Sequence, residues 1–250
     1  MLASALKLYG VASNATVPRP AWRRALITTF AAATIIAIGL YAAFLALSFV
    51  SLRTDRTVLI GRINTAFADK VLDPQASWLQ GNTEIGAHQY NDCLILFQAV
   101  DDRAPSDLRA ISPLSVPVDT DNACATLADF AAGRAAPPTR FYHQYLHAHT
   151  TLARLLVPSL GVAGLRGLYK LAITLTLLAG IGYTVLGLMR GRHMAVDAAW
   201  LVIFLAFSRW FGLESFGQSL GHGPADLVAL VFLLYLQRSC LLYTSDAADE

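Results

Sequence analysis

Side chains that could do chemistry gather at three places in this chain. The segment RFYHQYLHAHTTLARLL, Arg140 to Leu156, holds three of the six histidines. At about 100° per residue, His143, His147, Thr150 and Arg154 would share one helical face, with Phe141, Tyr145, Leu152 and Leu156 opposite. Such a face suits a bound headgroup, because imidazole can donate to phosphate or exchange a proton near neutral pH, and Arg154 can clamp phosphate through two N–H groups. The same pattern also fits an interfacial helix with a merely solvated polar side. The second place is QYNDCLILFQAV (89–100), which sets Asp92 at the start of an apolar helix, either as its cap or as a carboxylate base or metal ligand. Asp55, in LRTDRT, is the rival carboxylate, whereas Asp101 and Asp102 read as a solvated helix end. The third is GQSLG (217–221) followed by His222, which matches G-x-S-x-G. Its flanks are apolar helical runs rather than the strand, turn and helix of a nucleophile elbow, so Ser219 is not read as a nucleophile. His143 and His147 have the i, i+4 spacing of metal ligands, but position 144 is Gln where the zinc-protease pattern has Glu, and no metal site is assigned.

The elements that must position these groups are apolar. The 250 residues are 55% hydrophobic and only 14% charged, against about one quarter charged in an ordinary soluble domain. Too little charge remains to cover a globular surface, so an integral membrane protein is expected. The net charge of +2 and the absence of a basic run with interleaved aromatics argue against a nucleic-acid partner. Residues 25–52 contain no charge until the run ends, and they exceed the roughly 20 residues that cross a bilayer core. They also exceed the apolar region of a cleaved signal peptide, usually about 7–15 residues. Residues 1–24 carry Lys7, Arg19, Arg23 and Arg24 and no acid, which predicts a cytoplasmic N-terminal segment.

Residues 53–150 change character, with eight Lys/Arg, eleven acids and Pro-rich breaks at ISPLSVPVDT and AAPPTR. They predict a small extracytoplasmic domain of short helices near 59–71, 90–100 and 122–132, with an amphipathic helical region over 140–164. No sustained period-two alternation supports a sheet. A second span is expected at 165–189, with the basic cluster RGRH after it on the cytoplasmic side. Runs 195–213 and 219–237 read as a third and fourth span, with a re-entrant pair as the alternative. The fold class expected is therefore all-α, with four transmembrane helices and a mostly helical outer domain between the first and second. Residues 241–250, LLYTSDAADE, read as a non-native adapter-like tail, so the natural protein is expected to continue past about Arg238.

Cys93 and Cys124 both fall in the exported region, where an oxidising exterior favours their pairing; two buried thiols are the alternative. Cys240 sits beside the tail.

QYNDCLILFQAV, then RFYHQYLHAHTTLARLL running into a span, resembles a group of bacterial multi-pass membrane proteins whose layout is similar to the C-type glycosyltransferases that use polyprenyl-phosphate sugars. The likeness covers roughly residues 90 to 190. It implies a helical protein of the bacterial inner membrane, part of an enzyme that moves a sugar from a polyprenyl-phosphate donor on the outer side. Asp92, or Asp55, would be the catalytic carboxylate. His143, His147, Tyr145 and Arg154 would bind the substrate at its lipid phosphate. Membrane lipid and the polyprenyl-phosphate sugar are the expected partners. No cofactor is assigned, and a divalent cation stays open. The chain departs from that family in having Arg56, not a second acid, beside Asp55. The other function class is a non-enzymatic membrane protein whose outer domain senses or binds a ligand or serves as an assembly subunit.

Overall fold

The computed structural model describes residues 19–74, 89–117, 122–143, 147–191, 194–211 and 219–246. Eight helices and one short bridge lie among them: α1 (Arg19–Ser51), α2 (Arg56–Ala68), α3 (Gln89–Val100), α4 (Ser106–Ile111), β1 (Leu114–Ser115), α5 (Ala123–Ala131), β2 (Arg140–Phe141), α6 (Ala148–Arg190), α7 (Met194–Phe211) and α8 (His222–Asp246). The chain is mostly helical. Two helices are long and apolar enough to cross a membrane, at Leu26–Ser51 and Ala148–Arg190.

The chain divides into two compact units, one ending at Ala46 and one beginning at Leu47. Among its described residues the first unit holds only the part of α1 up to Ala46. Every side chain from 26 to 43 is exposed, including Phe30, Ile35, Ile36 and Leu40. An apolar cylinder of this kind has no polar face to offer water, which is the pattern of a helix immersed in lipid.

The second unit is built around α3. From Asp92 to Val100 all but one of its side chains are buried. A helix enclosed on nearly every side forms the middle of a layered core, and α2, α5 and the first part of α6 supply the layers. The Cys93–Cys124 disulfide ties α3 to α5, with Cα atoms 5.0 Å apart. Asn122 caps α5 through bonds from the Cys124 and Ala125 amides, holding that cysteine in register. Phe130 of α5 packs on Phe97 with centroids 4.8 Å apart, and the guanidinium groups of Arg56 and Arg103 lie over its ring at 5.6 and 5.4 Å.

Helix α6 is two helices joined at a break. Gly161 has φ 70° and ψ 174°, three residues after Pro158. Proline removes one backbone donor, and only glycine takes that φ without strain. The part before the break belongs to the core around α3. The part after it, about 29 residues or roughly 43 Å long, is the apolar span. Val162, Leu165, Tyr169, Ile173, Leu177, Gly180 and Thr184 are buried along it, a single stripe of spacing three and four.

Helices α7 and α8 pack on that stripe. A Cβ on Gly180 would lie 2.5 Å from the Phe204 ring, and one on Gly187 would lie 2.5 Å from the Asp197 carboxylate. Position number falls along α7 as it rises along α6, so the two are antiparallel. Gly223 meets Tyr169, and Leu230 packs with Ile173 and Leu177, so α8 runs parallel to α6. Glycines let the helix backbones approach closely, as is usual where helices pack without a solvent-driven force between them.

Two expectations need correction. No helix starts at 140: Arg140 and Phe141 pair antiparallel with Ser115 and Leu114, and α6 begins only at Ala148. The physical reason is that the bridge and two further bonds, Tyr142 N–H to the Pro113 carbonyl and the Ser112 hydroxyl to the Tyr142 carbonyl, satisfy the backbone there. Nor is Asp101 a solvated helix end. It is fully buried and receives three bonds from Arg103.

The Gly180–Phe204 contact predicts that Gly180→Ala destabilises the chain by about 1–3 kcal/mol through overpacking, although alanine is the better helix former. Gly182, whose Cβ would meet nothing within 4 Å, is the control. Thermal unfolding in detergent should rank Gly180→Ala below wild type and Gly182→Ala level with it. Equal midpoints for the two variants would contradict the packing.

Candidate functional site

A cavity of about 270 Å³ opens between α3, the start of α6 and the start of α8. Asn91, Leu94, Ile95 and Gln98 line one side. They are i, i+3, i+4 and i+7 of α3, one helical face. Tyr142, His149 and His222 stand among the residues across from them.

The polar groups are held by neighbours. The Thr150 hydroxyl donates to Gln98 Oε1 at 2.8 Å, and Arg154 Nη2 donates to the Gln98 carbonyl at 2.8 Å, so this residue is fixed at side chain and backbone alike. Asn91 Nδ2 lies 3.4 Å from His222 Nε2. Burial, with a smaller contribution from His147, pushes His149 down to about 4, and burial also lowers His147 against the bond its Nε2 makes to the Tyr142 carbonyl. At neutral pH, then, His149 presents an uncharged imidazole, beside two amides and a phenol. Such a lining hydrogen-bonds a neutral polar group and offers little to an isolated charge.

Directly behind Asn91 lies Asp92, fully buried. Arg166 of α6 donates to its Oδ2 through both Nε, at 2.8 Å, and Nη2, while Arg166 Nη1 donates to the Val71 carbonyl at 2.8 Å. The Leu220 amide donates to Oδ1. Ser219 also bonds the carboxylate, and its Oγ accepts from the Gly221 and His222 amides at 3.3 and 3.2 Å, capping α8. Burial pushes the Asp92 carboxyl above the usual carboxylate range, and the Arg166 charge and these donors pull the other way. The carboxylate thus fixes the far wall of the pocket without opening into it.

The other expected residues scatter. Asp55 caps α2 by accepting from the Thr57 amide. His143 is exposed and stacks on Phe141 ahead of α6, and His147 sits at the N-terminal boundary of that helix. Arg154 is buried at the opposite end of α3 from Asp92, bonded to the Gln98 and Ala99 carbonyls. Tyr145 lies outside the described residues. No group of three or more His, Cys, Asp or Glu that could hold a metal ion occurs among the described residues.

Arg166 and His222 carry more of the site than sequence reasoning gave them. Arg166 fell at the start of the second expected span without an assigned role. The available signal was Asp92 itself: a carboxylate inside an otherwise apolar helix requires a cation, and an arginine at the start of an apolar run is a natural source.

Compared with known proteins, the chain matches no family model, no curated protein and no solved structure.

A depressed folded-state pKa makes His149 stabilising above its unfolded value of about 6.5, a contribution lost as pH falls toward 4. Acidification across that window should therefore lower the unfolding midpoint, and His149→Gln should remove on the order of 1–3 kcal/mol of that loss. Parallel midpoint-against-pH curves for wild type and variant would contradict the burial of this ring.

Proposed function

We propose that the chain is a four-span protein of the bacterial inner membrane whose outer domain binds a neutral polyhydroxyl group, the sugar of a lipid-linked donor, in the pocket beside Asp92. The observation that carries the reading is the amide, phenol and imidazole lining at the seam between the α3 core and the start of α8. A sugar presents hydroxyls that both donate and accept, which is what two amides, a phenol and two imidazoles complement.

The helix directions support four spans. With α7 antiparallel to α6 and α8 parallel to it, the 219–222 end lies beside the outer domain, and the Arg190 turn lies at the far end of the three helices. Arg190 at that turn, with Arg192 following it in sequence, and the four cations with no acid among residues 1–24 favour a cytoplasmic location for both.

Sugar transfer from a polyprenyl-phosphate donor is the enzymatic form of this reading. What favours it over binding alone is His222, an imidazole lining the pocket, the side-chain type best suited to exchange a proton near neutral pH. In this form Asp92 is a positioning residue, because it holds the Leu220 amide two residues before His222. Binding without turnover would make the protein a sensor or assembly subunit.

The test uses right-side-out and inverted membrane vesicles with polyprenyl-phosphate-linked and free glucose, mannose and arabinose. Binding of at least one should occur from the outer face only and weaken tenfold or more in Asn91→Ala and in His222→Ala. Unaltered binding in both variants, or binding from the inner face, would overturn the proposal. Release of polyprenyl phosphate with an acceptor present would separate transferase from sensor.

A further inference from the structure

A second cavity, of about 140 Å³, lies at the other end of α3 and shares no lining residue with the pocket above. Ser51, Thr54, Arg56, Asp102, Arg109 and Arg154 supply its polar lining. Three guanidinium groups therefore surround a small space that contains one carboxylate, an excess of two positive charges. Asp102 meets Arg56 at 3.4 Å with both side chains half exposed, and it offsets one of the three charges.

Capping of α3 explains part of this arrangement. Arg154 donates to the Gln98 and Ala99 carbonyls, and Arg56 Nε donates to the Val100 carbonyl at 2.8 Å, which suits cations at a helix C-terminus. Capping does not explain Arg109. Its Nε is buried and has no hydrogen-bond partner among the described residues, and an unsatisfied buried donor forfeits the hydrogen bond it had in water. Nor does capping call for a third cation beside two that already complete it. The repulsion registers on buried Arg154, which burial first, and the Arg109 charge second, hold down to about 9. Burial lowers half-buried Arg109, the Asp102 and Asp101 charges oppose that, and Arg56 adds a smaller push in the same direction as burial.

We infer that Arg56, Arg109 and Arg154, with the hydroxyls of Ser51 and Thr54, form a binding site for a phosphate group. Guanidinium forks match phosphate oxygens in geometry, and hydroxyls complete the donor set. The space corresponds to roughly four or five waters at about 30 Å³ each, room for one tetrahedral oxyanion. A bound dianion would neutralise the excess charge and give the Arg109 Nε its acceptor. Ser51 is the last residue of α1, so if α1 spans the bilayer the site lies at headgroup depth. A lipid headgroup and free phosphate in solution both supply this group, and the same chemistry recognises either.

The experiment is calorimetric titration of the full chain, purified in uncharged maltoside micelles, with inorganic phosphate and separately with dioctanoyl phosphatidate. Saturable binding of at least one is expected. Arg109→Gln should weaken it tenfold or more. Arg56→Gln, whose side chain is half exposed and whose folding is checked by circular dichroism, should weaken it about threefold or more. Arg134→Gln, whose partner is Asp129 on α5, should leave it unchanged. Displacement of inorganic phosphate by phosphatidate identifies the lipid as the source, and failure to displace identifies free phosphate. Absence of saturable binding by both ligands at millimolar concentration, or wild-type affinity in the folded Arg56→Gln variant, overturns the inference. The sugar-pocket variants Asn91→Ala and His222→Ala should not alter this binding, so failure of one proposal is distinguishable from failure of the other.

Discussion

The Asp92–Arg166 ion pair is the interaction on which the second unit depends. A carboxylate withdrawn from water costs several kcal/mol even after relaxation, and only a partner with good geometry and further donors offsets that cost. Asp92 has Arg166 twice, the Leu220 amide and Ser219. The donors come from two separate parts of the chain, α6 and the entry of α8. The pair therefore joins α3 to the top of the apolar part of α6, to the turn after Ala68 through the Val71 carbonyl, and to the entry of α8. An apolar contact could bring these segments together, but it would not fix which backbone amide faces which oxygen. The charged pair does, and His222 takes its place at the pocket as a consequence.

The two ends of α3 are treated in opposite ways, and both treatments follow from the helix dipole. An acid sits in the first turn and arginines gather at the last carbonyls, the favourable sign at each terminus. Between them the helix is buried on almost every side, so it cannot relieve its terminal groups with water. The sugar pocket and the phosphate cavity flank these two termini. Function is thus proposed where the central helix already needs polar company, and the disulfide to α5 and the Phe97–Phe130 contact keep the scaffold between them rigid.

Much of this was legible in the sequence for physical reasons. The apolar runs of α1 and α6 are visible because a span needs length and little else. The short helices near 59–71, 90–100 and 122–132 and the Cys93–Cys124 pair follow from local pattern and compartment. What was not legible is long-range. Arg154 was expected beside Asp92 and lies instead at the far end of α3, because helical periodicity sets which residues share a face and says nothing of the partner they meet. The start of α6 was misplaced for a related reason: Arg140 and Phe141 satisfy their backbone against residues 114 and 115, a pairing no local window contains. Arg166 meets Asp92 across 74 residues of sequence. Pro158 and Gly161 carried a local signal for the break between the two parts of α6, and the expectation of one helical region over 140–164 left it unused.

A double-mutant cycle on the ion pair tests the central claim most directly. Asp92→Asn and Arg166→Gln, measured by unfolding of the chain in detergent, should each cost about 3–5 kcal/mol, because each leaves a buried charge without its partner. The double variant should cost less than their sum by about 1–3 kcal/mol. Hydrogen-exchange protection at the Leu220 amide should fall in Asp92→Asn. Additive costs within about 0.5 kcal/mol, with Leu220 protection unchanged, would show that the pair does not join the α3 core to α8.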